Sequence, residues 1–283
     1  MTTPRILAVV GAGTMGGQIA YQAALHRWEV RLIGRRDERL QAARSEASKL
    51  LRRRVEKGKL DHDACEAAIE RVTLSTDMDL VAGAGIVIES VAEDREVKRS
   101  VIQDIAAVLD DAAILGTNSS TMPSSMLADA VADPSRLLNV HFFNPPLVMA
   151  LVEVVQGPHT SPDSARRAMD FARAIGKTPV LVAREAYGFI ANRILFIAMQ
   201  EAMRLVQEGY VSIDDCDLAV HSALGWPLGP FALADLVGLD VVDAILREGA
   251  RQTHEDRWQP LPILRERVQR GELGRKTGRG FTG

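Results

Sequence analysis

The chain has 283 residues, of which 47% are hydrophobic and 25% charged, and a formal net charge of −3. That length can bury a large core and accommodates one sizeable domain plus a smaller one. A pI near 6.1 gives no basic footprint for nucleic acid, and no apolar run has the length of a membrane span. Two cysteines, Cys65 and Cys216, without CxxC spacing argue against a disulfide framework or a zinc site. A soluble cytoplasmic protein without a targeting segment is expected.

In chain order, short β-branched runs at 5–10, 29–33, 72–75, 85–90, 112–116, 136–140, 149–155 and 178–182 read as strands. Helical patterns lie between them at 14–27, 37–57, 61–70, 95–109 and 161–175, an alternation that predicts a mostly parallel, doubly wound α/β sheet of Rossmann type. Character changes near Tyr187: the remainder reads as helices at 188–208, 213–223, 230–237, 240–250 and 260–270. The expected division is a dinucleotide-binding domain, 1–186, and an all-helical domain, 187–283, whose broad apolar surface suits a homodimer interface.

Straight after the first strand stands Gly11-Ala12-Gly13-Thr14-Met15-Gly16, a GxGxxG opening a helix. The first glycine permits a tight turn and the second lets backbone approach a pyrophosphate. The third allows close packing of helix on strand, and the anion meets free N–H groups at the helix N-terminus. An acidic residue for the adenosine ribose belongs about 20 residues on. The second strand ends instead in Gly34-Arg35-Arg36. Glycine would leave room for a 2′-phosphate and two guanidiniums could grip it, favouring NADP(H), with NAD(H) still possible. The alternative makes Arg35 and Arg36 surface charges, with Asp37, a helix N-cap, serving the ribose.

Ligands of doubly wound sheets sit beyond the carboxyl ends of the strands. Two polar segments are placed there: Gly116-Thr117-Asn118-Ser119-Ser120-Thr121 and His141-Phe142-Phe143-Asn144-Pro145-Pro146. Twelve residues after His141, Glu153 interrupts the apolar run Leu151-Val152-Glu153-Val154-Val155. A carboxylate in a buried strand needs a partner, and an imidazole would serve. The glutamate would fix one ring nitrogen while the other exchanges a proton with substrate. The competing reading is a satisfied core histidine and a strand-edge glutamate. The basic stretch 52–59 reads either as a solvated helix end or as a handle for an anionic substrate.

Together with VIESVAEDREVK (87–98), TNSSTMP (117–123), GFIANR (188–193), GWPLGPFALADLVGLD (225–240) and GRKTGRGF (274–281), these segments resemble the 3-hydroxyacyl-CoA dehydrogenase family in order along nearly the whole chain. The single-module length is similar to stand-alone bacterial 3-hydroxybutyryl-CoA dehydrogenases. The resemblance implies that His141 is the catalytic acid/base and Glu153 its orienting partner. Ser120 would bind the substrate's 3-oxygen and His141, and Asn192 the substrate carbonyl region. Glu93 and Lys98 would lie near the nicotinamide ribose and Asn118 or Ser119 near the nicotinamide. Lys57 would be the foremost candidate for coenzyme A phosphates. Without the resemblance, Glu93 and Lys98 read as ordinary helix-start and helix-surface charges. It further implies an acyl-CoA substrate, no metal, and a site in the cleft between the two domains.

Three positions depart from the family pattern: the missing ribose acid, Ala150 where many members carry lysine, and an ending without the aromatic tail. The last two put the substrate in doubt more than the chemistry; the alternative substrates are a non-thioester hydroxy acid of sugar-acid or carnitine type, or an acyl group on a carrier protein. From another class, a cofactor-binding protein without catalysis also remains.

Overall fold

The computed structural model describes residues 5–282. They separate into two compact units that divide between Ala186 and Tyr187. The first carries eight strands, β1 (Ile6–Val10), β2 (Glu29–Ile33), β3 (Val72–Ser75), β4 (Ile86–Glu89), β5 (Ile114–Thr117), β6 (Leu137–Phe142), β7 (Leu151–Val155) and β8 (Thr178–Val182). They form one sheet in the order β3-β2-β1-β4-β5-β6-β7-β8. Neighbours from β3 to β6 are parallel, β7 runs antiparallel to β6, and β8 parallels β7. This is the doubly wound, mostly parallel arrangement expected from the alternating pattern. Strand order reverses between β1 and β4, where such sheets open a crevice for ligands.

Five helices accompany the sheet: α1 (Thr14–Leu25), α2 (Asp37–Glu56), α3 (His62–Glu70), α4 (Arg95–Val108) and α5 (Pro162–Ala174). Side chains alternate across a strand, and β1 shows the consequence. Its Leu7 and Val9 join a cluster with Ile19, Leu40, Phe171 and Ile175, whereas Ala8 and Val10 join Ile102 and Ile105 of α4 on the other face. β4, β5 and β6 are buried along their whole length, which is why they read as continuous apolar runs. β8 at the sheet's end is largely exposed and accommodates Pro179, as an edge strand can. Helix starts follow local chemistry: the side chains of Asp61, Asp94 and Ser161 accept from Ala64, Val97 and Ser164 N–H groups.

The second unit contains α6 (Ala191–Gln207), α7 (Ile213–Leu224), α8 (Pro230–Val237), α9 (Leu239–Thr253) and α10 (Pro262–Gln269). α6 starts three residues later than its apolar periodicity indicates, because Gly188 (φ 72°) and Phe189 (φ 47°) are left-handed. Trp258, fully buried, meets Tyr187 edge to face at 5.0 Å, and Phe231 meets Phe281 at 4.9 Å. The GRKTGRGF segment closes this core: buried Asp235 accepts from the N–H groups of Phe281 (2.8 Å) and Thr282 (2.8 Å). Gly280 has no side chain because a Cβ there would lie 2.2 Å from Asp235 Oδ1. Both cysteines are buried and unpaired. No helix among the described residues is long and apolar enough to cross a membrane.

Candidate active site

The loop between β1 and α1 is built by backbone proximity. Gly11 N–H donates to Ile33 O at 2.8 Å, and at φ 124° a Cβ would meet Ser90 O at 2.3 Å. A Cβ on Gly16 would lie 1.9 Å from Gly11 O, so the helix can start this close to the strand only with glycine. Gly13 differs: it is the N-cap of α1, makes no side-chain cap, and has nothing within 4 Å of its missing Cβ. Thr14 is exposed above it, while Met15 packs partly into the core. The first turn of α1 thus has no side-chain cap and the space beside Gly13 is open, which fits the pyrophosphate of a dinucleotide.

Beyond β2, Arg35 and Arg36 are exposed, and neither guanidinium is engaged by another group among the described residues. Arg36, not Asp37, takes the N-cap position of α2, and Asp37 is its first helical residue. A Cβ at Gly34 would sit 2.9 Å from Ala12 Cβ and 3.3 Å from Leu40 Cδ2. These two residues therefore leave no room for a side chain at position 34. The close approach of the glycine loop to β2 thus accounts for Gly34 as fully as a ligand does.

His141 lies inside β6 as its penultimate residue, not after the strand, directly opposite Glu153 in the antiparallel register with β7. Opposed residues of an antiparallel pair project to one face. His141 Nδ1 and Glu153 Oε2 are accordingly 3.0 Å apart, with the residues 4% and 1% exposed. An ionised carboxylate only accepts, so in the Nδ1–H tautomer the ring donates to it. The Phe143 ring lies 4.5 Å from the imidazole, tilted by 54°.

A second network lies at the carboxyl ends of β4 and β5. Lys98, read from sequence as a helix-surface charge, is 1% exposed. Its ammonium donates to Glu89 Oε1 at 2.9 Å and lies 3.2 Å from Glu93 Oε2. Thr117 Oγ1 donates to Glu89 Oε2 at 2.7 Å. Glu93, in turn, ties down the serine loop. Its Oε1 accepts from Ser120 N (3.0 Å), Thr121 N (3.1 Å), Thr121 Oγ1 (2.9 Å) and the Ser119 hydroxyl. Burial opposes ionisation of Glu93, but the Lys98 charge and the Ser119 and Thr121 hydrogen bonds outweigh it and hold the carboxyl below its usual range.

Ser120 is half-buried, and its hydroxyl makes no hydrogen bond to His141 in the structure. The Asn118 amide is committed to the scaffold: Phe142 N–H donates to its Oδ1 at 2.9 Å, and its Nδ2 donates to Ser90 Oγ at 3.3 Å. It ties the end of β5 to the residue beside His141. Two further residues escaped the sequence reading. Asn139, fully buried in β6, accepts from Ser124 N at 2.7 Å and donates to Met122 O at 2.9 Å, fixing the far side of the serine loop. Fully buried Glu89 anchors Lys98. A polar residue within each apolar strand, as in LLNVHF and IVIE, was the signal that could have found them.

Other sequence candidates lie elsewhere. Lys57 is exposed at the C-cap of α2, Arg52 pairs with Glu66 at 3.2 Å, and Asn192 stands in the first turn of α6 in the second unit.

Residues 6–186 match the model of the domain described as 3-hydroxyacyl-CoA dehydrogenase, NAD binding domain, and residues 188–283 that of the family's C-terminal domain. A probable 3-hydroxybutyryl-CoA dehydrogenase of Deinococcus radiodurans is 36% identical over 273 residues, covering 96% of this chain and 98% of the relative. A 3-hydroxybutyryl-CoA dehydrogenase of Mycobacterium tuberculosis is 35% identical, covering 97% and 96%. Among solved structures, (S)-3-hydroxybutyryl-CoA dehydrogenase from Ralstonia eutropha superposes with a TM-score of 0.94 at 33% identity, covering 98% of each chain. The glycine cradle, the eight-stranded sheet and these full-length matches agree, and the chain belongs to the 3-hydroxyacyl-CoA dehydrogenase family of nicotinamide-dependent oxidoreductases.

Proposed function

We propose that this enzyme interconverts 3-hydroxybutyryl-CoA and acetoacetyl-CoA, with NADP(H) preferred over NAD(H). The carrying observation is the buried His141–Glu153 pair at the carboxyl edge of a dinucleotide-binding sheet. Relatives bearing the 3-hydroxybutyryl-CoA name along their whole length support the substrate. The uncommitted guanidiniums of Arg35 and Arg36 support the cofactor.

A nicotinamide dinucleotide would supply the hydride acceptor or donor, and Gly11, Gly13, Thr14, Met15 and Gly16 at the α1 N-terminus would hold its pyrophosphate. In oxidation His141 takes the 3-hydroxyl proton at Nε2, and Glu153 stabilises the imidazolium at Nδ1. In reduction the same imidazolium returns its proton to the 3-oxygen. General acid–base work of this kind contributes about 10²–10⁴-fold. Ser120 orients the 3-oxygen, with Glu93 and Lys98 placing its loop, and Asn118 holds β6. Asn192 as a substrate contact and Lys57 as a coenzyme A contact rest on resemblance alone.

A homodimer formed through the helical unit is also proposed, supported by exposed Ile194, Leu218 and Leu224. We place it in the cytoplasm.

Steady-state reduction of acetoacetyl-CoA with NADPH and NADH side by side tests the reading, with free acetoacetate as control. A clear NADH preference overturns the cofactor assignment. Equal turnover of free acetoacetate overturns the thioester and favours a non-thioester hydroxy acid.

A further inference from the structure

Residues 143–150 join β6 to β7, and so join His141 to Glu153. Within this loop Pro146 and Leu147 are buried, whereas Asn144, Pro145, Val148, Met149 and Ala150 are exposed. Its conformation is set through backbone groups gripped from outside. Thr178 N–H donates to Ala150 O at 2.8 Å, Arg54 Nη1 to Leu147 O at 3.3 Å, and Leu147 N–H to Gln18 Oε1 at 3.4 Å. The central grip is Lys177, between α5 and β8. Its ammonium donates to Pro146 O and, at 2.8 Å, to Met149 O.

Lys177 is only 8% exposed and takes part in no ion pair among the described residues. A buried ammonium without a counter-ion is costly, and its burial, then the neighbouring Arg54 charge, push its pKa down to about 8. A methionine would fill the same volume without that penalty. What it would lack is a donor for two carbonyls of one loop, of which the Pro146 carbonyl is buried.

We propose that Lys177 is a positioning residue for the acid/base pair: by holding the Pro146 and Met149 carbonyls it sets how β6 and β7 meet, and with that the Nδ1···Oε2 geometry. The inference rests on the reading of His141 and Glu153 as that pair. In this role Lys177 acts through the loop and not by contact with substrate or cofactor.

The test uses the full-length ¹⁵N-labelled protein and steady-state kinetics. The His141 Nδ1–H resonance is identified by its loss in His141→Gln. Lys177→Met should shift or broaden that resonance and lower kcat for acetoacetyl-CoA by about 10–100-fold, the scale of a displaced catalytic group. The KM for the dinucleotide should stay within about twofold, since the glycine cradle is built by other residues.

A folded Lys177→Met with wild-type kcat overturns the proposal. So does a fall in kcat with an unchanged His141 resonance, or a rise in thioester KM alone. If Lys177→Met does not fold, Arg54→Met removes the second, half-buried cation from the same loop. It should reduce kcat several-fold with the same kind of spectral change, and wild-type values would overturn the idea. Full turnover by His141→Gln would instead remove the acid/base reading itself, whatever Lys177→Met shows.

Discussion

Glu153→Gln isolates the charge of the acid/base pair from its shape. Glutamine has the same size and keeps a carbonyl that can accept from Nδ1–H, so the packing around a residue only 1% exposed survives. What disappears is the negative charge beside an imidazole 3.0 Å away. A hydrogen bond to a charged group is worth about 1.5–3 kcal/mol. Two unit charges about 4 Å apart attract by about 4 kcal/mol at an effective dielectric near 20. On the proposed mechanism, oxidation starts from a neutral ring and develops an imidazolium in the transition state, so in that direction most of this difference falls on the chemical step. A loss of about 2–4 kcal/mol corresponds to roughly 30–1000-fold in kcat. The amide can also turn its NH₂ toward Nδ1 and force the other tautomer, which takes the proton-accepting role away from Nε2 and works in the same direction.

Oxidation of 3-hydroxybutyryl-CoA followed by nicotinamide absorbance should show kcat and kcat/KM falling together, the mark of an interaction made in the transition state. Thermal stability should change little, because no buried charge is left unpaired. A kcat within about threefold of wild type, with His141→Gln inactive, would refute the reasoning: His141 would then work without its carboxylate.

Arg35→Gln with Arg36→Gln should raise KM for NADPH at least about tenfold and leave NADH nearly unchanged, each guanidinium losing a charge-assisted contact; an unaltered NADPH/NADH ratio would count against the cofactor assignment. Gly34→Asp is a poorer probe, since its Cβ must displace Ala12 or Leu40. Gly16→Ala sets a methyl 1.9 Å from Gly11 O, a backbone atom that cannot swing aside. Dinucleotide affinity and melting temperature should both fall, by about 1–3 kcal/mol for the fold, and a variant that binds cofactor normally would contradict the cradle. Lys177, with its pKa lowered from 10.5 to about 8, imposes its full burial penalty below pH 8, and that penalty is relieved as pH rises because the unfolded chain keeps the proton longer. Relative to Lys177→Met, the wild type should gain on the order of 1 kcal/mol between about pH 7 and pH 9 in denaturant titrations, and parallel pH profiles would contradict it. In the helical unit, Gly249→Ala brings a methyl within 2.6 Å of Trp258 and should cost about 1–3 kcal/mol, read as a melting point lowered by several degrees.

Periodicity and turn chemistry are local, and they suffice for the eight strands, the glycine cradle and the change to helices near Tyr187. The chemical types needed for the site were also visible: a histidine and a glutamate where apolar strands should have neither. Their pairing was not, because it depends on β7 turning back antiparallel beside β6, a register set by contacts remote along the chain. The same holds for Lys98, a charge on a helical pattern whose burial follows only from β4 and β5 lying beneath α4 with Glu89 at hand. The crowding of Gly34 by Ala12 and Leu40 is likewise visible only in the fold. Lys177 carries no local signal at all, since its partners are the carbonyls of Pro146 and Met149, brought under it by the sheet. The sequence by itself determined the fold class, the glycine loop and the presence of polar residues in apolar strands. Only the tertiary structure decided which of those residues meet, because partners of buried polar groups come from non-local neighbours that no local pattern encodes.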